Sequence, residues 1–334
     1  MRSDRAEAIA RFLAGAGWGE ARRTPIAGDA SSRRYERLQN RGQTAILMDA
    51  PDAGSSTRRF IAVAEHLRAC GLSAPRILAH DLSRGLMLLE DFGDTRFPEV
   101  LTADPTRETE VFLAATDTLI ALHRQPPPQA PDLGPAVLVA QSALAYDSYL
   151  PALTGKTAPD QCADMQARLV EAFAALPPWT PVLALRDFHA GNLFWLPARK
   201  GPARIGLIDF QDAGLTHPLY DLVSLARDAR RTVAPETTAA MQTRYRAATG
   251  IEPESAWALL AVQRNLRILG VFARLALDHG KPGYLDHLPH TWALMVQDLQ
   301  HPSLTRLKTR LLADLPPPTP DAIARLRHAC PPKP

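Results

Sequence analysis

The sequence lacks the long apolar runs that membrane insertion or export requires. No stretch reaches the length of a membrane-spanning helix, and residues 1–8 have none of the apolar character of a signal peptide. Cysteine is also scarce, since the 334 residues contain only three, at positions 70, 162 and 330. An odd, widely spaced set without a CxxC pair favours neither a disulfide framework nor a zinc site. We therefore expect a cytoplasmic protein that does not bind membranes.

An excess of charge of either sign is lacking as well. The formal net charge is only +3, which is too small to indicate nucleic-acid binding. Hydrophobic residues make up 46% of the chain and charged residues 22%, as in an ordinary soluble globular protein. A chain of 334 residues is long enough to bury a full core, and we expect one unit of two lobes rather than two independent domains.

What the sequence does contain is an ordered set of polar residues in its central part. Asp187 is followed five residues later by Asn192, and Asp209 ends a short apolar, strand-like run. In protein-kinase-like phosphotransferases, an Asp, an Asn and a second Asp occur in this order: the first accepts the proton of the acceptor hydroxyl, and the others hold Mg²⁺ on the phosphates of ATP. The pattern therefore predicts Asp187 as the catalytic base, and Asn192 and Asp209 as magnesium ligands.

The N-terminal part is predicted to supply a loop that covers the phosphates of a nucleotide. After a helix over residues 4–14, two strand-like runs flank the small residues 28–32. Small residues allow the backbone to approach a nucleotide closely, so Ser31, Ser32 and Arg33 are candidate contacts. A plain hairpin turn is the alternative.

The next strand, over residues 44–50, lacks a lysine that kinase-like folds use to pair the phosphates. Met48 occupies the corresponding place, and no lysine is nearby. Arg33 or Arg34 on the neighbouring strand are candidates for the missing positive charge, although arginines on a strand are also often solvated. Glu65, on the helix predicted over residues 56–70, then has no lysine to pair with.

An apolar strand over residues 85–90 runs into the bend EDFGD at residues 90–94, which reads as the hinge between two lobes. We expect the backbone of Glu90 and Phe92 to face an adenine. The DFG triplet in this bend imitates the metal motif of kinases, but it precedes the catalytic loop and has the wrong chain order. The expected lobes are residues 1–92, with an antiparallel sheet, and residues 93–334, which are mostly helical.

The C-terminal part indicates a small acceptor. Asp221 follows Asp209 by only 12 residues, which leaves no room for the peptide platform of a protein kinase. Asp221 opens a helix, and we expect it to brace the catalytic loop. Arg186, Asp212 and Arg264 are candidates for acceptor contacts, although helix arginines are often only solvated. For Asp212, metal binding and a cap or turn are further alternatives.

The motifs RDFHAGN at residues 186–192, IDFQD at 208–212 and HPLYDL at 217–222 resemble those of the aminoglycoside phosphotransferase and choline kinase superfamily over about residues 10–315. Together with GDASSRRY at 28–35, MDAP at 48–51 and EDFGD at 90–94, they are similar to one branch, the anomeric kinases of cell-wall recycling. This resemblance implies a bilobal α+β fold and phosphorylation, by ATP with Mg²⁺, of the C1 hydroxyl of N-acetylmuramate, N-acetylglucosamine or both. In that branch the missing lysine is tolerated, whereas Leu185 departs from the usual histidine.

Two alternatives stay open at the level of the sequence. An aminoglycoside kinase would share the chemistry, but its polycationic acceptor would favour an acidic pocket, whereas the C-terminal helices are rich in arginine. A regulatory pseudokinase would explain the missing lysine, but the base and both metal-binding residues are in place. The preferred sugar, the use of GTP and the oligomeric state are not fixed by the sequence.

Overall fold

The computed structural model describes residues 2–26, 33–51 and 54–331, and it has the expected α+β composition. The chain forms two compact units. The first contains Met1–Pro128 and Ala190–Ala213, and the second contains Gln129–His189 and Gly214–Pro334. Because residues 93–128 and 190–213 group with the N-terminal sheet, these units differ in extent from the lobes expected on either side of residue 92. That lobe boundary stays a prediction.

The strands of the described residues are β1 (Arg22–Ile26), β2 (Arg34–Asn40), β3 (Gln43–Asp49), β4 (Ile77–Asp81), β5 (Leu86–Glu90), β6 (Val182–Ala184), β7 (Leu193–Trp195), β8 (Ile205–Leu207) and β9 (Gly214–Thr216). The helices are α1 (Arg2–Gly15), α2 (Gly54–Ala69), α3 (Phe97–Ala103), α4 (Glu108–His123), α5 (Pro135–Ser142), α6 (Leu150–Thr154), α7 (Pro159–Ala174), α8 (Tyr220–Ala226), α9 (Pro235–Thr249), α10 (Glu254–Leu277), α11 (Leu288–Asp298), α12 (Thr305–Asp314) and α13 (Pro320–Ala329). No helix in the described ranges is both long and apolar enough to span a membrane.

The first unit is built on an antiparallel five-stranded sheet with the order β1-β2-β3-β5-β4. Side chains alternate between the two faces of a strand, so one face of this sheet packs on α1. That face and α1 share an apolar cluster of Ile9, Leu13, Leu38, Ala45, Leu47, Leu86 and Leu88. The register aligns Tyr35, Met48 and Met87 on the opposite face.

The hairpin of β7 and β8 belongs to the first unit although it follows the loop of Asp187 in sequence. Its backbone joins two distant segments, since Trp195 N–H donates to Thr95 at 2.7 Å and Leu207 N–H donates to Ser73 at 2.8 Å. Gly206 allows this packing, because a Cβ there would lie 2.8 Å from the ring of Phe92. The strand pair expected to deliver Asp209 is therefore present.

The second unit is organised around α10, most of which is buried. The sequence predicts one helix over about residues 140–150, but the structure has α5, a π-helical turn (Ala145–Tyr149) and α6 instead. At this turn the chain lies against α10, and a Cβ on Gly270 would overlap the carbonyl oxygen of Leu144. The absence of a side chain at Gly270 thus sets how closely the two helical segments approach.

Replacing Gly270 with Ala is expected to destabilise the protein even though alanine favours helices. The added methyl group has no space against the Leu144 carbonyl, and overpacking of this kind costs about 1–3 kcal/mol. Gly15→Ala is the matched control, because no atom lies within 4 Å of a Cβ at this end of α1. Thermal unfolding should show a lower midpoint for Gly270→Ala alone. Equal midpoints would contradict the close approach.

Candidate active site

The loop that carries Asp187 follows β6 in the second unit. Leu183 and Phe188 on either side of it are buried, whereas Asp187 is partly exposed. Leu183 and Phe188 therefore anchor this loop in the core, whereas Val182 is only half-buried. Arg186 adopts φ 70°, a left-handed conformation that costs about 1–3 kcal/mol for a residue with a side chain.

Asp221, in the first turn of α8, holds this loop through its backbone. Its carboxylate accepts hydrogen bonds from Leu185 N–H at 2.5 Å and Arg186 N–H at 2.9 Å. The side chain is 0% exposed. Burial raises the pKa of Asp221 to about 7, although the two N–H groups act in the opposite direction. The brace predicted from the sequence is present.

His189, two residues after Asp187, is buried and supports the loop. Its Nε2 lies 3.2 Å from Nη1 of Arg230. Because a guanidinium only donates, the imidazole nitrogen accepts this hydrogen bond. Burial, and then the charge of Arg230, lower the pKa of His189 to about 4, so the ring is neutral at neutral pH. A neutral imidazole that accepts this hydrogen bond supports the loop and does not itself carry charge.

The two predicted metal ligands lie in the first unit and are close to each other. Asn192 ends a 3₁₀ turn (Ala190–Asn192), and Asp209 follows β8 by two residues. Nδ2 of Asn192 lies 3.5 Å from Oδ2 of Asp209, and Asn192 C=O accepts from Ile208 N–H at 3.3 Å. Asp209 has φ 61°, a left-handed conformation that Asp tolerates better than most residues.

The oxygen chemistry of this pair fits a magnesium ion. Carboxylate and amide oxygens are hard ligands, and Mg²⁺ takes one or two protein ligands while substrate phosphates and water complete its shell. In the described ranges no group of three or more His, Cys, Asp and Glu side chains gathers in the way that an all-protein metal site requires. Two oxygen-bearing side chains therefore fit a magnesium ion whose other ligands are phosphates and water.

Further contacts, not expected from the sequence, fix the segment after β8. Gln211 Nε2 donates to Asp209 Oδ1 at 2.9 Å, and Arg59 Nε on α2 donates to the Gln211 carbonyl at 3.1 Å. Phe210 is buried and stacks on Phe60 of α2 with a centroid distance of 4.8 Å. Gln211 is part of the IDFQD motif, and this motif is the sequence signal that could have identified it. The contacts to α2 cross about 150 residues of sequence and have no local signature.

The predicted nucleotide contacts in the first unit have different environments. Ser31 and Ser32 lie outside the described residues. Arg33 is buried, and its Nη1 lies 3.8 Å from Asp209 Oδ1. Met48 is 0% exposed in the middle of the sheet, whereas Glu65 is exposed to solvent. The roles of Arg33 and Met48 in nucleotide binding stay predictions.

The side chains of the predicted hinge are engaged within the first unit. Glu90 Oε1 accepts from Arg199 Nη2 at 2.6 Å, and Phe92 meets Phe194 edge-on at 5.6 Å. Asp91 pairs with Arg37 Nε at 2.8 Å, which agrees with its assignment to the hinge instead of the metal site. The Glu90 N–H donates to the Arg76 carbonyl at 2.8 Å, and the predicted backbone contacts of Glu90 and Phe92 to an adenine stay predictions.

The candidate acceptor residues are divided between the two units. In the second unit, Arg186 Nη2 lies 3.5 Å from Gln141 Oε1, and Arg264 is buried with its Nη1 3.3 Å from the Arg227 carbonyl. In the first unit, Asp212 is half-exposed and lies 3.6 Å from Arg59. Their contacts to an acceptor stay predictions.

Comparison with known proteins gives consistent results. The family model of the phosphotransferase enzyme family matches residues 22–261. An N-acetylmuramate/N-acetylglucosamine kinase of Caulobacter vibrioides is 38% identical over 92% of this chain and 96% of its own length. The Pseudomonas aeruginosa protein of the same name is 34% identical over 90% and 91%. Among solved structures, a choline/ethanolamine kinase family protein of Mesorhizobium loti has a TM-score of 0.59 at 18% identity, covering 98% of this chain and 100% of that one, a similarity of fold.

Removing the carboxylate of Asp221 is expected to destabilise the second unit. Asp221→Ala leaves the buried N–H groups of Leu185 and Arg186 without their acceptor, at about 1–3 kcal/mol for each group. Asp221→Asn keeps one carbonyl oxygen and should lose less. Asp286→Ala serves as control, because its pair with Arg327 is exposed. Chemical denaturation should give the lowest free energy of unfolding for Asp221→Ala, a higher one for Asp221→Asn and the highest for the control. Equal stability of all three would contradict the brace.

Proposed function

Because this chain belongs to the phosphotransferase enzyme family, we propose that it transfers the γ-phosphoryl group of ATP to the C1 hydroxyl of N-acetylmuramate, N-acetylglucosamine or both. Two relatives that carry this substrate name match it over nine tenths or more of both chains. The reaction would belong to the recycling of peptidoglycan sugars in the cytoplasm. No nucleic acid or membrane takes part in it.

The observation that carries the proposal is the braced loop of Asp187. A partly exposed carboxylate stands on a loop whose backbone is tied to the buried Asp221, and the neighbouring His189 is neutral. A carboxylate in such a fixed loop can orient a hydroxyl and receive its proton. Asn192 follows on the same segment at a spacing of five residues, as in kinase-like phosphotransferases.

In the proposed step, the carboxylate of Asp187 accepts the proton of the sugar hydroxyl, and the oxygen of that hydroxyl bonds to the γ-phosphorus of ATP. The bond between that phosphorus and the oxygen bridging to the β-phosphate breaks, and ADP leaves with the electron pair. An anomeric hydroxyl is more acidic than an ordinary alcohol, so a carboxylate is an adequate base for it. Asp187 can then pass its proton to solvent.

Asn192 and Asp209 would hold the magnesium ion in this reaction. Bound there, Mg²⁺ supplies positive charge that orients the phosphate oxygens and offsets their charge. The hydrogen bond from Ile208 N–H to the Asn192 carbonyl fixes the backbone at Asn192, and Gln211 Nε2 holds the carboxylate of Asp209. The protein contributes oxygen ligands and their orientation.

The charges around the Asp187 loop favour an acceptor that is neutral or anionic. Arg230 contacts His189 in this loop, and the positive charge of Arg264 also acts on the ring. Arginines at this place would disfavour a polycationic aminoglycoside and suit the carboxylate of N-acetylmuramate. An aminoglycoside kinase and a nucleotide-binding pseudokinase are therefore the less favoured functions.

A coupled assay with ATP and Mg²⁺ tests the proposal. N-acetylmuramate, N-acetylglucosamine, kanamycin and choline are offered separately, and phosphorus NMR locates the phosphate on each product. The expected product is a sugar 1-phosphate. Turnover of kanamycin or choline alone would keep the chemistry and refute the sugar. ATP binding without turnover of any acceptor would favour the pseudokinase.

Asp187→Ala is expected to lower kcat by about 10²–10⁴-fold, because the sugar hydroxyl loses its base. ATP binding should persist, since the predicted nucleotide and metal residues lie in the other unit. Asp286→Ala is the control in the same unit, because this aspartate is exposed and pairs with Arg327, which is exposed as well. Kinetics and calorimetric titration with ATP check both parts. Wild-type turnover by Asp187→Ala would refute its assignment.

A further inference from the structure

The first unit has no lysine at the place where a kinase-like protein needs a cation. Lys156 is the first lysine of the chain, so none of the five strands of the large sheet carries one. The described residues of this unit include one lysine, Lys200, which is exposed on the turn after β7. On β3, Met48 fills the position with an uncharged side chain that is 0% exposed. A cation for the phosphates must come from an arginine.

Arg33 lies on the face of the sheet to which Met48 belongs. Tyr35 is the direct partner of Met48 in the pairing of β2 with β3, and Arg33 precedes Tyr35 by two residues. Since alternate residues of an extended chain share a face, Arg33 and Tyr35 lie side by side. Burial raises the pKa of Tyr35, and the neighbouring charge of Arg33 acts in the opposite direction. Arg33 therefore reaches the same region from the neighbouring strand.

The guanidinium of Arg33 joins α2 to the predicted metal ligand. Its Nη2 donates to Ser56 Oγ in the first turn of α2, and its Nη1 lies 3.8 Å from Asp209 Oδ1. The arginine side chain is 7% exposed, whereas that of Asp209 is 42% exposed. The positive charge is thus buried directly behind the exposed carboxylate at which the metal and the phosphates would meet. Kinases use a strand lysine and a helix residue for the same connection.

We propose that Arg33 replaces the strand lysine as the cation that binds the nucleotide phosphates, with Ser56 in place of the helix glutamate. The inference rests on the proposed function only in taking a nucleoside triphosphate as the phosphoryl donor. A guanidinium presents a planar fork of N–H groups that matches phosphate oxygens, and it stays charged even where it is buried. Arginine can therefore fill this role from a different strand, with a longer reach than lysine.

Two other arginines of this region are less suited. Arg59 on α2 bonds to the Gln211 carbonyl and approaches Asp212, so it fixes the segment beyond Asp209. Arg34 is the direct neighbour of Arg33 but is exposed, and it pairs across the sheet with Asp49 on the α1 face. Arg34 is therefore a matched control, with the same side chain at the next position of the chain and on the opposite face.

The test compares nucleotides that differ only in their phosphates. The full chain carrying Arg33→Ala, Arg33→Gln or Arg34→Ala is titrated with ATP and Mg²⁺ by calorimetry, and adenosine binding is measured by competition. We expect both Arg33 variants to bind ATP roughly tenfold to a hundredfold more weakly, as for loss of a charge-assisted hydrogen bond. Adenosine should bind within about twofold of wild type, and Arg34→Ala should leave both affinities unchanged.

Equal loss of ATP and adenosine affinity in the Arg33 variants would assign Arg33 a structural role only and overturn the inference. Unchanged ATP affinity would overturn it as well. If Arg33→Ala does not fold, Arg33→Gln decides, because glutamine keeps most of the volume and a polar contact to Ser56. Failure of the sugar assignment is separate, since the wild-type protein would then bind ATP without phosphorylating either sugar.

Discussion

The geometry of the active site depends on one buried carboxylate that accepts two backbone hydrogen bonds. Asp221 takes the N–H groups of Leu185 and Arg186, and Arg186 is the residue that turns with positive φ. A left-handed arginine persists only where the surroundings hold it. Burial of Asp221 disfavours its charged form and raises its pKa, and the two N–H groups lower that pKa again in part. Without this contact the carboxylate of Asp187 would stand on an ordinary flexible turn.

A second left-handed residue, Asp209, occurs at the other functional segment, and it is held differently. Its flanking residue Phe210 is stacked on Phe60, and its carboxylate is contacted by Gln211 and Arg33. Apolar packing and charge thus hold the predicted metal ligand, whereas backbone hydrogen bonds hold the loop of the predicted base. Each unit positions its own part of the chemistry with its own contacts. The two parts are joined by the short stretch of chain from Asp187 to Asn192.

Much of this could be predicted from the sequence, because the informative signals are local. Short apolar or strand-like runs bounded by turn residues predicted the strands of the large sheet, and fixed spacing predicted Asp187, Asn192 and Asp209. The pairing of β6 with β9 was missed, since three-residue strands carry little pattern. The π-helical turn depends on the fit to Gly270, and the bond of Arg33 to Ser56 depends on a contact across 23 residues. Neither leaves a local signature.

The return of residues 190–213 to the first unit has a consequence for the order of folding during synthesis. The carbonyls of Ser73 and Thr95 accept hydrogen bonds from β8 and β7, which are synthesised about a hundred residues or more later. By then α5 to α7 of the second unit have already been translated. The N-terminal sheet therefore cannot complete its packing as an autonomous early domain. A nascent chain stalled before residue 190 would expose the apolar surface that the hairpin covers, and would be a substrate for chaperones.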